Sequence, residues 1–307
     1  MKPNLTIGPI LFHWPAEKKL EFYARIAEEA PVDTVYLGEV VCSKRSPFFE
    51  QYYEDVAERL TRAGKKVVFS SLAEIMLKRE RNMMAGFCEI EDHEIEINDA
   101  SALWHLDGHK FRVGPLMNAY NEETLRYLAG KGATHFAMPT ELPGSSVAIM
   151  ASAAQDVGAG CEVQVFGRAQ LALSARCYHA RAHGRIKDNC QFVCELDPDG
   201  MPLRTLDGND FLAINGIQTL SHKYINLMAE LPQLRDIGIT HFRLVPQDVD
   251  MVAVAKIWRA ALDGVISPEE GQKRLDALNL PAPFANGFWH GQAGVQKVAV
   301  ERALASL

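Results

Sequence analysis

The sequence predicts an α/β fold, a distorted or incomplete (β/α)8 TIM-barrel-like arrangement. Three observations lead there. Short apolar runs alternate with longer amphipathic stretches along the 307 residues, the rhythm of parallel strands joined by helices. No glycine-rich nucleotide fingerprint follows the first run, where Ile7-Gly-Pro-Ile10 lacks the spacing, so the layered dinucleotide-binding alternative has no signature here. No phosphate-loop pattern is present either.

Taken in order, residues 5–11 read as the first strand and 17–29 as a helix with one apolar face. Residues 34–38 are the second strand, 49–63 a helix and 66–70 the third strand. A helix at 72–85 and a strand at 94–97 follow, with further strands at 111–114, 134–137, 162–166 and 240–244. The run 196–202 is rich in Asp, Pro and Gly and marks a turn, after which 213–220 reads as a strand leading into a loop. A single barrel-like domain over 1–307 is expected, with a cysteine-bearing loop around 169–210 and a C-terminal closing segment around 281–307. The aromatic residues at 283–289 are assigned to core closure ahead of a partner surface.

An apolar fraction of 48% and a charged fraction of 23% are those of an ordinary globular protein. The net charge of −7, with no basic tail or charge block, argues against a general nucleic-acid surface, and no nucleic-acid partner is expected. The first residues lack the layout of a secretory signal, and no apolar run reaches the roughly 18 residues of a membrane span. A cytoplasmic protein without an integral membrane segment is therefore expected. In that compartment the six cysteines read as free thiols or metal ligands rather than disulfides.

Cys42 follows the second strand, whereas Cys177, Cys190 and Cys194 crowd together far downstream. Barrel sites form at the C-terminal ends of strands, so the segments after strands 34–38 and 162–166 are expected on one face, with the four thiols together. Four thiolates hold either a cubane iron–sulfur cluster or a tetrahedral zinc ion, and spacing alone does not choose between them. The cluster is the leading reading. Cys88 and Cys161 read as small buried hydrophobes, and His93, His105 and His109 form no compact metal signature.

Several blocks carry a family resemblance: Gly8-Pro-Ile-Leu-Phe-His-Trp-Pro15, Val35-Tyr-Leu-Gly-Glu-Val-Val-Cys-Ser-Lys-Arg45, Asn118-Ala-Tyr-Asn121 and Met138-Pro-Thr-Glu-Leu142. Ala175-Arg-Cys-Tyr-His-Ala-Arg181, the Cys190/Cys194 pair, Leu212-Ala-Ile-Asn-Gly-Ile-Gln-Thr219 and Asn286-Gly-Phe-Trp289 extend it. Over most of its length the chain resembles a small iron–sulfur member of the collagenase-like peptidase family. The resemblance implies one [4Fe–4S] cluster on Cys42, Cys177, Cys190 and Cys194. It also implies an iron–sulfur subunit required for oxygen-independent hydroxylation in ubiquinone biosynthesis, with prephenate as oxygen donor. The implied partners are a UbiU-like paralogue, forming a heterodimer, a UbiT-like lipid-binding accessory protein and the ubiquinone precursor.

Other residues near the predicted mouth are candidates by chemistry. Glu39 would orient a cation or accept a proton, and Lys44 or Arg45 would stabilise a carboxylated donor. Arg176, His179 and Arg181 flank Cys177, offering carboxylate forks and a proton-transfer group, and Glu141 follows the strand at 134–137. Asn118, Tyr120, Asn121, Asn215, Gln218 and Thr219 are substrate-binding candidates, and Gly216 marks a tight turn or close approach. For each, an ion pair, a turn or a core role competes. Three other functions remain open: an RNA-hydroxylation-associated enzyme, a non-enzymatic iron–sulfur scaffold, and a peptidase using Cys42 as nucleophile with His179 as base.

Overall fold

In the computed structural model, which describes residues 3–106 and 108–299, the βα rhythm closes on itself. The chain runs β1 (Asn4–Ile7), α1 (Ala16–Glu29), β2 (Thr34–Leu37), α2 (Tyr53–Arg62), β3 (Lys66–Ser70), α3 (Lys78–Phe87), β4 (Glu94–Ile97), α4 (Leu103–Leu106), β5 (Phe111–Val113) and α5 (Glu122–Gly130). It continues through β6 (Ala133–Ala137), α6 (Gly144–Asp156), β7 (Gly160–Leu173), α7 (Tyr178–Ala182), β8 (Met201–Arg204), β9 (Asp210–Asn215) and β10 (Gln218–Asn226). The last elements are α8 (Leu231–Asp236), β11 (His241–Leu244), α9 (Met251–Leu262), α10 (Pro268–Asp276) and β12 (Phe284–Ala285). Strands β1 to β7 pair in sequence order, and β11 closes the ring by pairing in parallel with both β7 and β1. The result is a closed eight-stranded parallel barrel with helices around it. Each of the eight strands lies on a run that the sequence marks as one. Among the described residues no helix is long and apolar enough to cross a membrane.

The extra strands grow from β7. It runs far beyond its barrel partners, and β10, β9 and β8 add to it in antiparallel order. The run 213–220, expected as a strand leading into a loop, is instead a hairpin: Asn215 pairs with Gln218 across a two-residue turn at Gly216 and Ile217. Gly216 has φ +64°, and tight hairpin turns need such left-handed positions. The helix expected from residue 72 begins only at Lys78, where Glu80 is buried and accepts hydrogen bonds from the Met76 and Leu77 backbone at 2.8 Å each.

The helices pack their apolar faces on the outside of the barrel in one large core that includes Leu5, Val35, Ile97, Phe136, Phe242 and Trp258. Trp289 belongs to it, donating from Nε1 to Gln233 Oε1 at 3.0 Å. Its indole lies where a Cβ on Gly144 would stand, 2.7 Å from Cε2, so this aromatic residue packs into the core. Of the closing segment, 300–307 lie outside the described residues.

The barrel interior departs from the apolar expectation for parallel strands. Thr6, Tyr36, Ser70, Glu96, Arg112, His135, Glu162 and Arg243, one from each barrel strand, are all buried. Glu162 accepts from the Tyr36 hydroxyl at 2.7 Å and from Arg243 Nη2 at 2.7 Å, contacts His135 Nε2 at 2.9 Å, and accepts from Thr6 Oγ1. Arg243 also reaches Glu96 at 2.5 Å, and Ser70 donates to the same carboxylate at 2.9 Å. Buried charge persists only when paired and hydrogen-bonded, and this network meets that condition. Burial alone would raise the Glu162 pKa, but Arg243 beside it holds the carboxyl well below the usual range.

Candidate functional site

A second, smaller apolar cluster sits over the C-terminal ends of the barrel strands. It joins Leu11 after β1, Val40 and Val41 after β2, Val245 after β11, and Ile217 of the hairpin turn to Cys177, Ala180 and Cys190. Loops at this end of a barrel are the usual place for chemistry.

The four cysteines meet in this region. Cys42, Cys177, Cys190 and Cys194 line one small pocket with Lys44, Arg45, Lys187, Phe192, Val193 and Gly216. Local geometry explains how each arrives. Glu39 Oε1 accepts from the backbone of Val41 and Cys42 at 3.0 Å each, shaping the turn that presents Cys42. Cys177 caps α7, its Sγ accepting from Ala180 N at 3.4 Å. Gln191 and Phe192 both adopt positive φ, 48° and 53°, an uncommon backbone for such residues that carries the chain between Cys190 and Cys194.

Arg45 ties the site together. Its guanidinium is buried and donates to Leu11 O and Asn215 Oδ1, both at 2.9 Å. Asn215 Nδ2 in turn donates to Leu11 O at 2.7 Å and to Gln218 Oε1 at 3.2 Å, and Gln218 donates to Gln170 Oε1 at 2.8 Å. A Cβ on Gly216 would lie 2.6 Å from Arg45 Nη2, so glycine is what admits the guanidinium. Lys44 Nζ donates to the carbonyls of Lys187 and Asp188 at 2.7 and 3.0 Å, holding the cysteine-bearing segment.

Other candidates fall elsewhere. Asn121 caps α5, accepting from Thr124 N at 2.8 Å, and Asn118 closes a turn at φ 54°. Tyr120 donates to Glu141, and neither lines the cysteine pocket. Thr219 pairs with Ile214 in the hairpin. Arg176 and Arg181 are exposed and line a separate, basic pocket described below. Sequence reasoning missed His13, which is buried against Phe48 and Phe192 with ring centroids 5.1 and 5.5 Å away. Burial, then the charges of Arg45 and Lys19, push its pKa down to about 4, leaving it neutral.

The expected [4Fe–4S] cofactor is corrected by this geometry. Among the described residues, the group whose ligand atoms converge within 4.8 Å is His179, His183 and Asp197, with no cysteine in it. In the ion-free chain burial raises the pKa of Cys42, Cys177 and Cys194, with Arg45 only partly offsetting it. No cluster is assigned to these residues. The same shifts argue against an activated nucleophile at Cys42, and His179 Nε2 stands 2.8 Å from Asp197 Oδ2 instead.

Alkylation at about pH 8, read by peptide mass spectrometry, is expected to label Cys42, Cys177 and Cys194 far more slowly in the native than in the unfolded chain. Native labelling should rise only as pH passes the ordinary thiol range. Equal native and unfolded rates would contradict the protonated-thiol assignment. Cys88, pushed up to about 11 by burial, and Cys161, pushed up to about 12, should behave alike.

The sequence profile of Peptidase family U32 matches residues 22–299. Among solved structures, the chain is similar to a phospho-2-dehydro-3-deoxyheptonate aldolase (DAHP synthase) from Thermotoga maritima, with a TM-score of 0.36 and 12% identity. That likeness covers 92% of this chain and 71% of the other, and at this similarity no chemistry transfers.

Proposed function

Because the chain belongs to peptidase family U32, a family that includes anaerobic ubiquinone-pathway hydroxylases, we propose that it is a subunit of an oxygen-independent hydroxylase system in ubiquinone biosynthesis. In this reading it is of the UbiV type, pairs with a UbiU-like paralogue, and works with a UbiT-like lipid-binding protein. Prephenate supplies the oxygen.

The observation that carries this reading is a pocket of about 430 Å³ lined by Arg176, Arg181, Arg185 and Lys187 together with Cys177. Cationic forks in this density suit a small molecule bearing two carboxylates, as prephenate does. Two of the cations are themselves positioned: Arg185 donates to Cys190 O at 3.3 Å, and Lys187 pairs with Glu74 at 3.1 Å. The pocket therefore joins a basic surface to the cysteine-bearing segment without calling on a nucleophile.

The double charge reversal Arg176→Glu with Arg181→Glu tests it. Both side chains are exposed, so the fold should survive. Each lost charge-assisted contact is worth about 1.5–3 kcal/mol, so anaerobic ubiquinone in cells carrying only this variant should fall at least about tenfold. Unchanged anaerobic ubiquinone, with the variant present at normal level, would overturn the assignment of the donor to this pocket.

A further inference from the structure

We propose that His179, His183 and Asp197 form a binding site for a divalent first-row transition-metal ion. The site is separate from the four thiols and goes beyond the hydroxylase reading. His179 lies on α7 and His183 caps its end. A spacing of four residues puts both rings on one side of a helical turn, and they stack with centroids 5.6 Å apart and planes 12° from parallel. Asp197 reaches them from the turn that follows Cys194, its Oδ2 at 2.8 Å from His179 Nε2. One donor atom from each residue lies within 4.8 Å of the other two.

The state of His179 points to a ligand. Its side chain has no solvent exposure, yet neither ring nitrogen has an aligned hydrogen-bond partner. The contact with Asp197 is close but out of line. Buried polar groups are nearly always satisfied, and an exception calls for an explanation such as an ion. Two imidazoles and one carboxylate form a donor set for zinc or ferrous iron rather than for magnesium or calcium, which take mainly oxygen ligands. Donors around a tetrahedral ion with bonds of about 2.0–2.2 Å stand closer together than 4.8 Å. Closing on an ion therefore asks for inward rotation, which exposed His183 is free to make while buried His179 stays fixed.

The test uses the full-length chain, stripped with a chelator and titrated with Co²⁺ and separately with Zn²⁺. One ion per chain should bind, and the cobalt form should show visible ligand-field bands without thiolate-to-cobalt charge transfer. Loss of even a supporting residue costs about 10–100-fold in metal affinity, so His183→Ala and Asp197→Asn should each weaken binding by at least about tenfold. Cys190→Ser should leave it unchanged, with circular dichroism confirming that each variant is folded. Absence of stoichiometric binding would overturn the proposal. So would a thiolate charge-transfer band with affinity lost in Cys190→Ser and kept in His183→Ala, because the ion would then sit on the cysteines.

Discussion

Replacing Arg243 with methionine is expected to cost about 3–5 kcal/mol of folding stability, the usual result of removing one partner from a buried ion pair. Arg243 is the cation between Glu96, at 2.5 Å, and Glu162, at 2.7 Å, and all three side chains are almost fully buried. Methionine fills much of the volume and leaves two carboxylates without their counter-charge. Urea unfolding at neutral pH reads the loss, and a change under about 1 kcal/mol would show that the network is not what holds the barrel interior.

The same substitution should change the acid limb of stability. In the native chain Glu162 is held well below the ordinary carboxylate range. Its stabilisation is therefore fully present above the unfolded carboxylate pKa and is lost as pH falls toward the folded value. His135, kept neutral by burial, acts in the same direction, because acid protonates it more readily in the unfolded chain. Without Arg243 the Glu162 carboxyl would shift upward, so the variant should lose less stability than the native protein as pH falls below about 4.5. Parallel acid limbs would contradict the assignment of that limb to this ion pair.

The second large effect is expected at Gly216. An alanine there meets two penalties, a left-handed backbone at φ +64° and a Cβ only 2.6 Å from Arg45 Nη2. The backbone penalty is about 1–2 kcal/mol. Displacing Arg45 from Leu11 O and Asn215 adds to it, for a total of roughly 2–4 kcal/mol. Gly208→Ala is the control, since Gly208 has φ +87° with nothing within 4 Å of the added atom. It carries the backbone penalty alone. Gly216→Ala should cost more than Gly208→Ala in denaturant unfolding and should also abolish the anaerobic function. Equal costs with function retained would mean that Arg45 does not organise the mouth.

Much of this architecture was legible in the chain. The eight barrel strands were marked by short apolar runs because a strand buried on its outer face by helices needs such residues. The interior was not legible. Glu94-Ile-Glu-Ile97 alternates as a strand should, but whether its carboxylates face water or a closed barrel depends on Arg112 and Arg243, which are distant in sequence. The hairpin at Gly216 reads in sequence as a strand leading into a loop, because the apolar residues Ala213, Ile214, Ile217 and Leu220 are spread across the turn and only the glycine hints at a reversal.

The site was legible where motif and topology agreed. Cys42 and Arg45 come from the segment after β2, which strand order brings to one end of the barrel, whereas Asn215 arrives on the added strand β9. Asn121 was misleading, because a helix cap and a ligand donor use the same side chain. The His179–His183 spacing was present in the sequence, yet its third member, Asp197, lies in a run that reads only as a turn. The metal expectation went to the cysteines because their clustering is visible in sequence, whereas the convergence of His179 and His183 with Asp197 appears only in the fold.

In the proposed function this chain enables oxygen transfer from prephenate to the ubiquinone precursor without molecular oxygen. The most direct test is an anaerobic reaction with the UbiU-like and UbiT-like partners and prephenate carrying a heavy-oxygen label in its hydroxyl group, with the quinone product read by mass spectrometry. The label should enter the ring hydroxyl when this chain is present, and fail to enter when it is omitted or carries Arg176→Glu with Arg181→Glu. Labelled product formed equally well without the chain, or hydroxylated product that never carries the label, would contradict the claim.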